Sequence, residues 1–287
     1  MKDCQPIDPR TLYIVATPIG NLGDMSQRAL DVLGQVDFIL CEDTRHSGIL
    51  LEHFGIRKRV VSYFAHNEAL RTDQFLPKLL DGESAALITD AGTPGISDPG
   101  SRLVDACLEA GVRVCPVPGA CAVPTAVSAC GFYQFTGFEF VAFFPRKSSD
   151  RREMFEHFAH RSTLLVGYES PQRIASLLED LIAVTGPERR VCLCRELTKK
   201  FESIERTTAG ALLEKYREEQ PKGEMCLIIE GEVCTETENE GLSEDAKRLI
   251  QLLKDRGMSA RDIRDVVSEY CGVRAKDVYQ AVIGAQS

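Results

Sequence analysis

Leu87-Ile88-Thr89-Asp90-Ala91-Gly92-Thr93-Pro94-Gly95-Ile96-Ser97-Asp98-Pro99-Gly100 decides how this chain folds. Ala85 to Thr89 is a short apolar run with β-branched residues, the pattern of a buried strand. Asp90 stands where that strand ends. Three glycines and two prolines follow within ten residues, more than a tight strand-to-helix turn needs. Asp98-Pro99 reads as an N-cap with proline at the first helical position, and a helix over Ser101 to Ala110 stops at Gly111. Strand, Asp, wide glycine loop, helix is the arrangement that places a ligand loop outside the carboxyl end of a strand in an open α/β sheet.

The same pattern recurs on either side. Strands are expected at Leu12–Thr17, Phe38–Cys41, Val60–Phe64 and Val112–Val117. Helices are expected at Met25–Leu33 (capped by Asp24), Gly48–Phe54, Glu68–Leu80 and Ala122–Ala129. Such alternation implies parallel pairing through right-handed crossovers. Each strand runs into polar or turn-forming residues: Thr17-Pro18, Glu42-Asp43-Thr44-Arg45, His66-Asn67-Glu68, Asp90-Ala91-Gly92 and Pro118-Gly119. In a parallel sheet these ends fall on one edge, which makes that edge the candidate site.

A second α/β unit begins near Phe138. Its strands are expected at Phe138–Phe144, Ser162–Tyr168, Arg190–Cys194, Phe201–Thr207 and Met225–Glu230, in a mixed sheet because some connections are too short to cross over. The domain reading is a tail at 1–10, an N-terminal α/β domain at 11–121 and a C-terminal α/β domain at 122–231. An acidic linker at 232–241 and a helix-turn-helix-like appendix at 242–287 complete it. From Glu240 on, the chain carries equal acidic and basic charge, which gives no support to DNA reading.

The chain has 287 residues and a formal net charge of −9, so its overall field does not attract nucleic acid. Met1 to Pro6 has no apolar core of a signal peptide, and no apolar run approaches membrane-helix length; a cytoplasmic protein is expected. The eleven cysteines then read as reduced thiols. Cys192 and Cys194 alternate along an apolar run, no C-x-x-C occurs, and no metal site is expected.

Neither glycine loop carries a Walker pattern or a G-x-G-x-x-G, and neither supplies a lysine for phosphate. The loops suit a ligand that needs close backbone approach without phosphate charge. S-adenosylmethionine (SAM) is one such ligand among several.

The blocks Leu12 to Asp24, Glu42-Asp43-Thr44-Arg45-His46, Asp90 to Pro94 and Ser97-Asp98-Pro99-Gly100 resemble the tetrapyrrole methylase superfamily, and within it the methyltransferases of small-subunit ribosomal RNA. The resemblance continues through Pro118-Gly119, Gly137-Phe138, Pro145-Arg146-Lys147, Tyr168-Glu169-Ser170-Pro171, Arg195 to Lys199 and Lys222-Gly223-Glu224, and covers nearly the whole chain. It implies two α/β domains with SAM in the cleft between them, and a homodimer. It implies 2′-O-methylation of a cytidine ribose in the decoding region of 16S rRNA within the small subunit. Pro18, Asp90, Gly92, Pro94, Ser97, Asp98, Pro118 and Tyr168 are the implied cofactor residues.

A ribose hydroxyl is a weak acid, so a base or a nearby cation should assist its attack on a sulfonium methyl. Glu42, Asp43, Glu68 and Glu196 are the candidate bases. Arg45, Arg195 and Lys199 are candidates to hold phosphate or developing charge. Arg45, Arg146, Lys147, Lys199 and Lys200 are expected to form a local basic patch at the cleft mouth, and Arg45, His66, Arg146, Lys147, Arg195 and Lys200 are the candidate RNA-binding residues. Two rivals remain: a methylase of a small molecule on the same fold, and an rRNA-binding module without catalysis.

Overall fold

The computed structural model describes residues 6–135, 137–218, 221–232, 242, 244–271, 273 and 275–284. The chain divides into two compact units, Met1–Val233 and Cys234–Ser287.

The first unit opens with β1 (Thr11–Val15), α1 (Gln27–Gln35), β2 (Phe38–Cys41), α2 (Thr44–His53), β3 (Arg59–Ser62), α3 (Glu68–Leu80), β4 (Ala85–Ile88), α4 (Ser101–Glu109) and β5 (Arg113–Val117). The five strands form one all-parallel sheet in the order β3-β2-β4-β1-β5. Successive side chains leave a strand on opposite faces. Ala86 and Ile88 therefore join Val32 and Leu33 of α1 and Leu51 of α2 on one side. Ala85 and Leu87 join Phe75 of α3 and Leu103 of α4 on the other. A sheet covered on both faces explains why β2 and β4 are apolar throughout rather than alternating.

After α5 (Ala122–Ala129) come β6 (Phe138–Phe143), α6 (Ser148–Phe158), β7 (Leu164–Glu169), α7 (Ile174–Thr185), β8 (Arg190–Arg195), β9 (Ser203–Thr208), α8 (Ala209–Glu218) and β10 (Met225–Ile229). These strands form a mixed sheet in the order β6-β7-β10-β8-β9. β10 pairs antiparallel with both β7 and β8, and β6 pairs parallel with β7. So β6, β7 and β8 run the same way, and their carboxyl ends share an edge with the start of β10. One face packs on α6, α7 and α8 through residues such as Phe155, Leu178 and Leu212. The other carries Cys192, Cys194, Cys226 and Ile228 against Val123 and Ala126 of α5. The cysteines of that face are buried free thiols, as small hydrophobes would be.

The second unit is α9 (Glu244–Asp255), α10 (Ala260–Cys271) and α11 (Ala275–Gly284), packed through Ala246, Ile250, Ile263, Val267, Val278 and Val282. Ser259 opens α10 as expected: its hydroxyl accepts the Asp262 backbone N–H at 3.2 Å. Most of the expected acidic linker, 233–241, lies outside the described residues, as do residues 1–5 of the expected tail. Among the described residues no helix is long and apolar enough to cross a membrane.

Two expected caps are corrected. Asp24 ends a short 3₁₀ turn, and α1 is capped by Ser26, whose side chain accepts the Ala29 N–H at 3.1 Å. Asp98 does not cap α4. Gly100, at φ +140°, holds that position, and its N–H is taken by the Glu68 carboxylate at 2.9 Å. A Cβ at residue 100 would lie 2.7 Å from Leu87 Cδ2, so the turn closes too tightly against the sheet for an ordinary capping residue. Asp98 is left free to face elsewhere.

Candidate active site

The strand-end loops of the first sheet are tied to one another. Thr17 and Gly92 exchange backbone hydrogen bonds (2.9 and 3.1 Å), and the Thr17 hydroxyl donates to the Thr89 carbonyl at 3.0 Å. The Thr93 hydroxyl donates to the Ala120 carbonyl at 3.1 Å. The loops after β1, β4 and β5 are thus one rigid rim. Ile19 from this rim enters the core of the second sheet beside Leu197.

Between the rim and the edge formed by β6, β7, β8 and β10 lies a cavity of about 380 Å3. Gly92, Ser97 and Asp98 line it from the first sheet, with Tyr168, Glu224 and Cys226 across from them. Ile19, Cys121, Leu197 and Met225 add apolar wall, and among the described residues no lysine or arginine lines it.

Of the expected cofactor residues, Gly92, Ser97, Asp98 and Tyr168 line this cavity; Pro18, Asp90, Pro94 and Pro118 do not. Asp90 stands just outside, where its carboxylate accepts the Asp43 N–H at 3.2 Å. Burial and the neighbouring Glu42 and Asp90 carboxylates push the Asp98 carboxyl up to about 6. Burial also raises Glu42, reinforced by Asp90 and opposed by the Asp90 backbone hydrogen bond. Tyr168 is raised above the ordinary phenol range by burial, so its hydroxyl stays neutral. Glu169, buried at the end of β7, also lines the cavity. Its Oε2 lies 3.0 Å from Arg173 Nη2 in an ion pair that lacks hydrogen-bond geometry.

None of the expected catalytic residues Glu42, Asp43, Arg45, Glu196 and Lys199 lines the cavity. Asp43 caps α2, accepting the Arg45 N–H at 2.8 Å and its guanidinium at 2.8 and 3.2 Å. Those bonds hold its carboxyl down at about 2. The Arg45 side chain is otherwise 90% exposed. Glu68 is committed to Gly100. Glu196 accepts the Glu224 N–H and Lys199 Nζ, both at 2.9 Å, and these bonds lower its carboxyl. Lys199 also bonds Glu224 Oε2 at 2.9 Å. Burial works against the Lys199 charge, but the two carboxylates outweigh it. Glu42 keeps a raised carboxyl, beside Asp98. Glu224 and Phe143 line the cavity and escaped single-residue reading; only the Lys222-Gly223-Glu224 block pointed toward the first.

The turn that presents Glu224 depends on Gly223, at φ +92°, where an added Cβ would sit 2.4 Å from the Glu196 carboxylate. Gly223→Ala is expected to cost about 1–2 kcal/mol, a fall in melting temperature of roughly 3–6 °C. Calorimetric melting checks it, and an unchanged transition would show that the Glu196–Lys199–Glu224 cluster does not constrain the turn.

Arg45 and His66 stand at the carboxyl edge of the first sheet, and Arg146, Lys147, Arg195, Lys199 and Lys200 at the facing edge of the second. Arg195 is partly engaged by the Ser203 hydroxyl at 3.3 Å and the Lys222 carbonyl at 3.2 Å. Lys200 sits 5.5 Å over the Phe201 ring. Among the described residues no group of His, Cys, Asp and Glu side chains has the arrangement of a metal site.

Two facing strand-end edges thus enclose a glycine-loop cavity. Residues 11–213 match the family of Tetrapyrrole (Corrin/Porphyrin) Methylases, and the chain belongs to it. The fold agrees with a crystal structure of uroporphyrin-III-C-methyltransferase from Thermus thermophilus: TM-score 0.54 and 20% identity, over 76% of this chain and 93% of that one. Ribosomal RNA small subunit methyltransferase I of Escherichia coli O157:H7 is 44% identical over 277 residues, 96% of this chain and 95% of the relative. The protein of the same name from Haemophilus influenzae is 45% identical over 271 residues, and that from Synechocystis sp. 40% over 270. Within the superfamily the chain belongs with these relatives, in the ribosomal RNA small subunit methyltransferase I family.

Proposed function

We propose that this chain transfers the methyl group of SAM to the 2′-oxygen of a cytidine ribose in 16S rRNA of the small ribosomal subunit. The observation that carries the SAM assignment is the charge of the cavity: Asp98, Glu169 and Glu224 line it, and among the described residues no lysine or arginine does. A phosphate-bearing cofactor would find no positive partner there, whereas a sulfonium and an ammonium find carboxylates. The volume is in the range of small-molecule sites, and the apolar wall suits an adenosine. The rRNA assignment is supported by the names of the relatives. The cavity would lie between domains 11–121 and 122–231, and the protein would work in the cytoplasm as a homodimer.

Gly92, Ser97, Tyr168 and Met225 would hold SAM, which supplies an electrophilic methyl on a positively charged sulfur. The chain's own task is alignment and proton removal. The tied rim of Thr17, Gly92 and Thr93 fixes one wall, and Ile19 and Leu197 keep the interior dry. Asp98 takes the proton of the ribose hydroxyl. Its raised carboxyl makes it a stronger base than an ordinary aspartate yet leaves it ionised at neutral pH. Glu42 and Asp90 act behind it by maintaining that environment.

The test is transfer of radiolabelled methyl from SAM to small ribosomal subunits lacking native methylation, with naked 16S rRNA alongside, followed by mapping of the modified nucleotide. A single ribose-methylated cytidine is expected. No label on either substrate, with SAM binding retained in calorimetry, would discard the rRNA reading in favour of a small-molecule acceptor.

A further inference from the structure

β6 contains an irregularity that the fold does not need. Phe140 pairs with Val166, but the next pair is Phe143 with Tyr168, so β6 carries one residue more than β7 across this step. Ala142, inside the bulge, sits at φ +55°, a conformation L residues rarely adopt. One extra residue reverses the facing of everything beyond it. Without it Ala142 would stand beside Tyr168 and Phe143 would enter the core on the α6–α7 face. With it Phe144 takes that core position, 1% exposed. Phe143 instead lines the cavity with its ring 5.6 Å from Tyr168, and stays 59% exposed.

The next residues continue the feature. Arg173 donates to the carbonyls of Phe144 and Pro145 at 2.8 and 2.9 Å, and Arg151 to those of Pro145 and Arg146 at 3.1 and 2.9 Å. The backbone leading from Phe143 is therefore held by two guanidiniums. Arg146 and Lys147 project from it, exposed and with no ion-pair partner among the described residues. Three residues of chain span about 10 Å at most and four about 14 Å, so an aromatic face and two cations sit within a nucleotide's reach of each other.

We propose that Phe143, Arg146 and Lys147 form a nucleotide ledge at the cavity mouth, on which the base of the target nucleotide stacks on Phe143 while its flanking phosphates meet Arg146 and Lys147. This rests on the RNA reading above and deepens it. A base must leave its helix to offer its ribose to a cavity, and an exposed aromatic ring is the surface that receives it. The enclosed wall of Tyr168, Met225 and Cys226 serves the small molecule inside; the ring left open at the mouth serves the larger one outside.

The chain has no tryptophan, so Phe143→Trp introduces a sole fluorescent reporter at the ledge. Its emission is expected to be quenched by a cytidine-containing oligoribonucleotide and unchanged by SAM alone. Phe143→Leu is expected to raise KM for small ribosomal subunits about 5- to 100-fold with SAM affinity unchanged, and Phe143→Trp, which keeps an aromatic face, to raise it less than Phe143→Leu does. Quenching by SAM alone would overturn the proposal and assign the ring to the adenosine. A Leu variant with unchanged KM, in a preparation whose wild type methylates the subunit, would overturn it too. A wild type that methylates no RNA would instead remove the reading on which the ledge rests.

Discussion

Asp98→Asn is expected to lower methyl transfer to small ribosomal subunits about 10²- to 10⁴-fold, the span that one positioned base contributes. The amide keeps the shape of the side chain and removes its ability to take a proton. The loss should therefore fall on kcat, with SAM affinity changed far less. The wild-type profile of kcat/KM should rise with pH through about 6 and level off above it, because a base must be unprotonated to act and this carboxyl is held near 6. The variant should lose that rising limb. Glu42→Gln should shift the wild-type limb to lower pH, since it removes one of the two carboxylates that disfavour the Asp98 charge. Stability gives an independent check. The folded chain binds the Asp98 proton more tightly than the unfolded chain does. That contribution is present in acid and lost as pH rises from about 4 to about 6. At neutral pH the ionised carboxylate is thus a burden on the fold, and Asp98→Asn should melt at or above the wild-type temperature. A variant that keeps full kcat but binds SAM poorly would make Asp98 a cofactor contact and return the search for a base to Glu42.

Asp98 also marks where local sequence reading stopped short. Asp-Pro before a helical run is a sound N-cap signal, and it misplaced the residue because the alternative was tertiary. Gly100 is pressed against Leu87, and Glu68, thirty-two positions earlier, supplies the missing acceptor. No local window contains that partner. The strands read better, for a physical reason. β2 and β4 are buried on both faces, so their apolar runs are unbroken and end abruptly in Glu42 and Asp90. The direction of each strand follows from the helical crossovers, so the shared edge was legible from order alone.

Side-chain roles at that edge were less legible. Asp43, Glu68 and Glu196 look alike as strand-end acids, yet one caps α2, one caps α4 and one holds a lysine. Choosing among them needs the positions of their partners, and those come from other strands. The β6 bulge was invisible for a related reason. Phe140-Val141-Ala142-Phe143-Phe144 is apolar at every position, so its pattern cannot say which phenylalanine faces the core. Register against Tyr168 decides it.

Asp180→Ala is expected to be the most damaging single change to the fold outside the cavity. Asp180 is buried on α7 and accepts Arg151 Nε at 2.8 Å, Arg152 Nε at 2.8 Å and the Ser148 hydroxyl at 2.6 Å. Burial opposes its charge, but the bonds from Ser148, Arg152 and Arg151 outweigh it and hold the carboxyl below the ordinary range. Truncation leaves the Arg151 guanidinium, with 6% of its side chain exposed, buried without its ion-pair partner. Breaking one side of such a pair costs about 3–5 kcal/mol. For a unit of this size that is a fall in melting temperature on the order of 10 °C. The same change should weaken RNA binding, because Arg151 also holds the carbonyls of Pro145 and Arg146 beneath the ledge. The pH dependence has the opposite sign to that of Asp98. The Asp180 contribution is full above the ordinary carboxylate range and is lost as pH falls through its depressed value, so the wild-type advantage over the variant should shrink in acid. A double variant, Arg151→Met with Asp180→Leu, removes both charges and should recover much of the stability without restoring RNA affinity. If Asp180→Ala melts within about 2 °C of wild type, less than ~1 kcal/mol, the pair is not what fixes the loop. The positioning of Arg146 and Lys147 would then fall to Arg173 alone.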